Sequence, residues 1–66
     1  MSLLTKREKE IFILLLETKS TKEIASILRI SEKTVRNHIS NAMQKLGVNG
    51  RASAVVELIR LKEIDI

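Results

Sequence analysis

The chain is expected to fold as an all-α, four-helix domain, and three features of the sequence carry that expectation. Proline is absent, and no stretch alternates apolar with polar residues as a half-buried strand would. Helix-start signals recur at Thr5, Ser20 and Ser31, each a hydroxyl residue poised to accept from a free backbone amide of the following turn. The only two glycines, Gly47 and Gly50, punctuate the boundary between the last two apolar-periodic stretches.

The first helix, about 5–17, opens at Thr5 with Glu8 three residues on, the pattern of a capping box in which hydroxyl and carboxylate each satisfy the other's backbone amide. It is expected to bury Ile11, Phe12, Leu15 and Leu16. Ser20 and Glu23 repeat the box and open a short second helix, about 21–28, with Ile24, Ala25, Ile27 and Leu28 as its apolar positions. Ser31 caps a third helix, about 32–46, with Ile30 placed to staple against Val35. Only Arg29 to Ser31 separate helices 2 and 3, which forces a tight corner. Gly47 suits the left-handed turn that ends helix 3. The fourth helix, about 51–61, follows Asn49–Gly50 and carries Ala52, Val55, Val56, Leu58 and Ile59.

At 66 residues, 44% of them hydrophobic, the chain 1–66 is expected to be one domain with one small core and no room for a deep substrate cavity. With no cysteine, disulfides, thiolate catalysis and cysteine-ligated zinc are excluded, and so is the usual stapling of a small secreted domain. The longest apolar run, Ile11 to Leu16, is far short of the ~20 residues that span a bilayer, and no signal peptide is visible. A cytoplasmic location away from membranes is expected. There is one aspartate, Asp65, and no glycine-rich phosphate loop or nucleophile–base pair at recognisable spacing, so enzymatic activity is not expected. His38 is the only histidine and has no companion ligand, so neither metal nor other cofactor is expected.

Net charge is +4, and its distribution says more than its sum. Lys19 to Arg51 holds seven basic residues against two acidic ones, while the rest of the chain holds five against six. The positive field therefore belongs to the middle of the chain and suits a polyanionic partner. In helix 3, at 100° per residue, Val35, Ile39, Ala42 and Leu46 form one stripe with Met43 at its edge. The opposite side presents Lys33, Asn37, Ser40, Asn41 and Gln44, with Arg36 and His38 on the flanks. A merely solvated face tends to be rich in Glu and Lys, which support each other four residues apart. Asn, Ser and Gln instead offer paired donors and acceptors of the kind that read base edges. After Glu32 the helix holds no acid. A short helix, a tight corner and a helix with a basic, amide-rich outer face are the parts of a helix-turn-helix that places its second helix in the DNA major groove.

The stretches Leu4–Glu8, Lys22–Ala25, Ile30–His38, Lys45–Val48 and Arg51 together resemble the LuxR/FixJ type of transcription-factor domain, over nearly the whole chain from Leu4 to Ile64. The likeness extends to a stand-alone member of that family that regulates late spore-coat genes, and to the DNA-binding ends of response regulators. It implies a sequence-specific regulator of transcription on double-stranded DNA, with control of sporulation genes as its role. Carried over by position, Arg36, Asn37 and Ser40 are implied to face base edges, with Lys33 beside them at the border with the backbone. Thr34, His38, Lys22, Lys45 and Arg51 are implied at or near phosphates. Thr34 has the alternative of satisfying only its own helix, and His38 that of packing between helices. The resemblance also implies contact with RNA polymerase, without identifying a surface. Two departures stand out: Lys19-Ser20-Thr21 replaces a segment where family members often carry glycine and asparagine, and Arg36 stands where lysine is common.

Helix 4 has more apolar positions than one face can bury, which predicts a twofold homodimer through Val55, Val56, Leu58 and Ile59, extra core packing being the other use for them. Two rivals to the DNA-binding regulator stay open: a small helical protein-interaction module, and the excised effector domain of a response regulator.

Overall fold

Four helices account for nearly all regular structure in the computed structural model, which describes residues 3–64: α1 (Lys6–Leu16), α2 (Thr21–Leu28), α3 (Glu32–Leu46) and α4 (Arg51–Arg60). No strand occurs among the described residues. Asp65 and the outermost residues of the expected 1–66 domain lie outside them. The expected helices therefore exist and start where the caps place them, with α1 one residue shorter at each end and α4 one residue shorter at its C-terminus.

Both capping boxes form. The Thr5 side chain accepts from the Glu8 amide while Glu8 accepts from the Thr5 amide, and Ser20 and Glu23 do the same. Ser31 accepts from the Thr34 amide at 3.0 Å. Each box satisfies amide donors that a helix start otherwise leaves to water. Among the three, only the caps of α2 and α3 bear on the corner between them. There Arg29 turns left-handed at φ 59°, and the Ile30 amide donates back to the Ala25 carbonyl at 3.0 Å. Gly47 ends α3 at φ 68°, a conformation that glycine adopts without the steric penalty of a Cβ.

The core sits where α3 crosses the other three helices. Ile11 and Phe12 of α1, Ile24 of α2, Val35 and Ala42 of α3, and Ala54 and Leu58 of α4 are wholly enclosed, joined by Leu4 and Ile64 from the two ends. The ends are held together as well: Glu63 accepts from the Leu3 and Leu4 amides at 2.6 and 3.2 Å and faces Lys9 at 3.8 Å. Ile30 is half-buried and packs against this core.

Two expectations need correcting. Leu16, expected in the core, lies on the exposed side of α1, and the apolar Ile27 of α2 is 52% exposed. With Ile13, Leu14, Leu28 and Glu10, Ile27 lines a shallow groove between α1 and α2. Helix periodicity marks an apolar side chain without saying how wide a stripe the neighbouring helix covers. The second correction concerns Leu58, expected at the dimer surface, which is 0% exposed in the core and has no surface to offer a second chain.

Candidate nucleic-acid interface

Helix α3 buries one side and presents the other, and its fifteen residues give about 22 Å of length at 1.5 Å per residue. Val35, Ile39 and Ala42 are buried, with Met43 and Leu46 packed at the rim of the core. Lys33, Arg36, Asn37, Ser40, Asn41 and Gln44 are all exposed on the remaining surface. The buried stripe decides this: once four apolar positions face α1, α2 and α4, the residues between them have nowhere to point but outward. A single helix face thus gathers three amide side chains, a hydroxyl and two cations.

Arg36 is not idle on this face. Its Nη1 donates to Glu32 Oε2 at 3.4 Å, one helical turn back. Thr34 is half-buried, and its hydroxyl meets Ser31 Oγ at 2.8 Å, so that hydroxyl is engaged with its own cap. His38 is half-buried on the flank of the helix. Lys22, in the first turn of α2, and Arg51, the first residue of α4, are exposed. They stand at the N-terminal ends of helices, where the peptide dipoles also favour an anion.

Lys45 has a partner that the sequence does not announce. Its Nζ donates to Glu8 Oε1 at 2.7 Å, across 37 residues of chain, and Glu8 is 3% exposed. Burial pushes the Glu8 carboxyl up, but the hydrogen bonds from Lys45 and from the Thr5 amide outweigh it and hold the group below the usual carboxylate range. The lysine expected at a phosphate is thus first of all the cation of a partly buried ion pair that ties the start of α1 to the end of α3. No local spacing could signal this pair. Elsewhere, the Ser20 backbone and hydroxyl lower the Glu23 carboxyl, while the Arg60 hydrogen bond lowers Glu57 and is itself reflected in a raised Arg60.

On α4, Val56 is 62% exposed, Val55 and Ile59 are half-buried, and Leu61 is exposed just beyond the helix. An apolar strip therefore remains on the outer side of α4 even after Leu58 and Ala54 enter the core.

Residues 2–58 match the family of bacterial regulatory proteins of the luxR type. The chain belongs to the LuxR family. The family's members among its relatives include the spore germination protein GerE of Bacillus subtilis (strain 168), 72% identical over 64 residues, covering 97% of this chain and 86% of that protein. The transcriptional regulatory protein DegU of Brevibacillus brevis is 48% identical over 60 residues, which are 91% of this chain but 25% of that protein. Among solved structures, the transcription factor GerE superposes with a TM-score of 0.95 at 63% identity, covering 98% of this chain and 97% of that one. The response regulator ChrA of a heme-sensing two-component system gives 0.87 at 36% identity, covering 92% of this chain and 30% of that one. The LuxR-family chain is a transcriptional regulator with a helix-turn-helix DNA-binding domain, in a family of regulators rather than enzymes. Its four helices are those of the GerE fold. No helix of the described residues is long and apolar enough to cross a membrane.

Proposed function

We propose that α3 lies in the major groove of double-stranded DNA and that Arg36, Asn37 and Ser40 read base edges, with Lys33 alongside them. The observation that carries this reading is the outer face of α3, where amide, hydroxyl and guanidinium groups are exposed together on one side of a firmly anchored helix. Arginine pairs bidentately with guanine, and asparagine with adenine, in the major groove. Lys22 and Arg51 hold phosphates on either side, Thr34 and His38 line the same backbone, and Lys45 reaches it only with the part of its ammonium that Glu8 leaves open. Phosphate contacts set register and affinity, while base contacts set sequence preference.

Two copies pair through Val55, Val56 and Ile59 of α4, so the target is an inverted repeat with half-sites one helical turn apart or a multiple of it. The likeness to a spore germination protein supports a regulatory role in the sporulation or germination programme, exerted on RNA polymerase in the cytoplasm. The unit 1–66 acts as one domain. A second reading, as the effector part of a longer response regulator, draws on the match to only about a quarter of DegU.

Selecting bound duplexes from a random DNA pool at near-physiological salt tests the proposal. An enriched inverted repeat supports specific, dimeric recognition. Salt-sensitive binding with no enriched sequence refutes base reading by α3, because backbone contacts alone weaken with salt but carry no sequence information. Absence of binding refutes the assignment altogether and favours a protein-interaction module.

A further inference from the structure

Glu32 is out of place on a surface meant for DNA. It is the only acid among the fifteen residues of α3, it is about half exposed, and it stands in the first turn beside Lys33. A carboxylate held against phosphates weakens attraction to every DNA sequence. The ion pair it forms with Arg36 does not explain it as a device for stability, since both side chains are about half exposed, at 42% and 54%, and such pairs contribute little.

The geometry suggests another use. Glu32 Oε2 takes the guanidinium through Nη1 alone, at 3.4 Å. That leaves the side edge of Arg36, formed by Nε and Nη2, with two parallel N–H bonds that the carboxylate does not take. Two parallel donors are what guanine N7 and O6 accept. A free arginine on a flexible stem also swings to the nearest phosphate, which gains affinity without preference. Tethered one turn back along the helix, it is kept from the backbone and presented edge-on.

We infer that Glu32 is a positioning residue that sets the sequence specificity of Arg36 by holding its guanidinium toward base edges and away from phosphate. The inference rests on the base-reading role of Arg36 proposed above. Glu32 pairs with the arginine and touches no base itself. It lowers affinity for DNA in general and raises the ratio between the preferred and an unrelated sequence.

Fluorescence anisotropy with a duplex selected as above and a scrambled duplex, over a range of salt, tests this on the full chain. The variants are Glu32→Gln, Glu32→Asp, Arg36→Gln and the double Glu32→Gln/Arg36→Gln, each checked for helicity by circular dichroism. Glu32→Gln is expected to lower the preferred-to-scrambled ratio about 5- to 10-fold, part of the discrimination a bidentate pair supplies. The loss should come mostly from tighter binding to the scrambled duplex. There the salt slope steepens by about 0.9 as the freed arginine takes a phosphate. Glu32→Asp, which keeps the charge but is one methylene short of Arg36, should lower the ratio too. In the Arg36→Gln background the second substitution should leave the ratio unchanged. An equal drop in that background overturns the inference, because the carboxylate would then act on DNA without Arg36. A collapsed ratio in Arg36→Gln together with an unchanged one in Glu32→Gln overturns it as well, while leaving base reading intact. An unchanged ratio in Arg36→Gln itself strikes the base-reading role, and the inference falls with it.

Discussion

Replacing Lys45 with methionine removes one charge and keeps the hydrocarbon stem, so it isolates the ion pair with Glu8 from packing. Taking away one partner of a buried pair costs about 3–5 kcal/mol, because the other charge stays behind uncompensated. Two features reduce that figure here. The Lys45 side chain is 35% exposed, so water screens the pair from one side, and the Thr5 amide at 2.8 Å still serves the carboxylate. About 2 kcal/mol is the expected loss. For a domain of this size, where total stability is about 3–10 kcal/mol, that is a large share and lowers Tm by about 8–16 °C. The loss also depends on pH. With its carboxyl lowered in the fold, Glu8 contributes stability that is complete above the unfolded-chain value of about 4.3 and fades as pH falls through the lower folded value. In Lys45→Met, burial is opposed by Thr5 alone, so the carboxyl rises and tolerates protonation. The two proteins should therefore differ fully at pH 7 and converge as pH falls from the unfolded-chain value through the lowered folded one. Thermal melts by circular dichroism across that range measure both effects, and Glu8→Gln should recover part of the stability lost in Lys45→Met. A Tm difference of less than about 2 °C at pH 7, or one that persists undiminished through the acid range in which the unaltered protein loses its own stability, refutes the account of Glu8 and Lys45 as a coupled, partly buried pair.

Other substitutions probe separate parts of the molecule. Thr18 sits at φ 63°, a left-handed conformation costly for a β-branched residue. Thr18→Gly is therefore expected to stabilise the fold by about 1 kcal/mol, raising Tm by about 4–8 °C in the same melts. On the DNA-facing side, Arg36→Ala should cost about 1–3 kcal/mol on the preferred duplex and relax base choice at one position, measured by repeating the pool selection. Equal weakening on every sequence would contradict a base contact. At the proposed dimer surface, Val56→Glu places a charge on a residue that is 62% exposed, so it should leave the melt nearly unchanged. Analytical ultracentrifugation with the inverted-repeat duplex should then show one copy bound where the unaltered protein binds two, and unchanged stoichiometry would remove α4 from the interface.

Much of the architecture follows from local rules. A hydroxyl cap with Glu three residues later needs only its own turn to form, which is why Thr5–Glu8 and Ser20–Glu23 mark helix starts to within one residue. Gly47 ends α3 because a left-handed turn is cheapest without a Cβ. The outward face of α3 is equally legible, since a stripe of four apolar residues at helical spacing fixes where the rest must point. The Glu32–Arg36 contact lay within reach too, as an i,i+4 pair, though only the structure gives its atoms and exposure.

What the chain could not disclose by itself is whatever depends on distance across the fold. Ile27 and Leu58 are both aliphatic and both on amphipathic helices, yet one is half exposed and the other sealed, because exposure is set by which neighbouring helix happens to lie above. Thr18 reads as an ordinary loop residue until its backbone is seen to turn left-handed. Lys45 reads as a phosphate-facing cation until α3 crosses α1 and brings Glu8 to 2.7 Å. The sequence alone determined the number, start and polarity of the helices, because those are settled by interactions within a few residues. Only the tertiary structure decided which apolar groups are core, and which charges are occupied with each other, because those are settled by contacts between residues far apart in the chain.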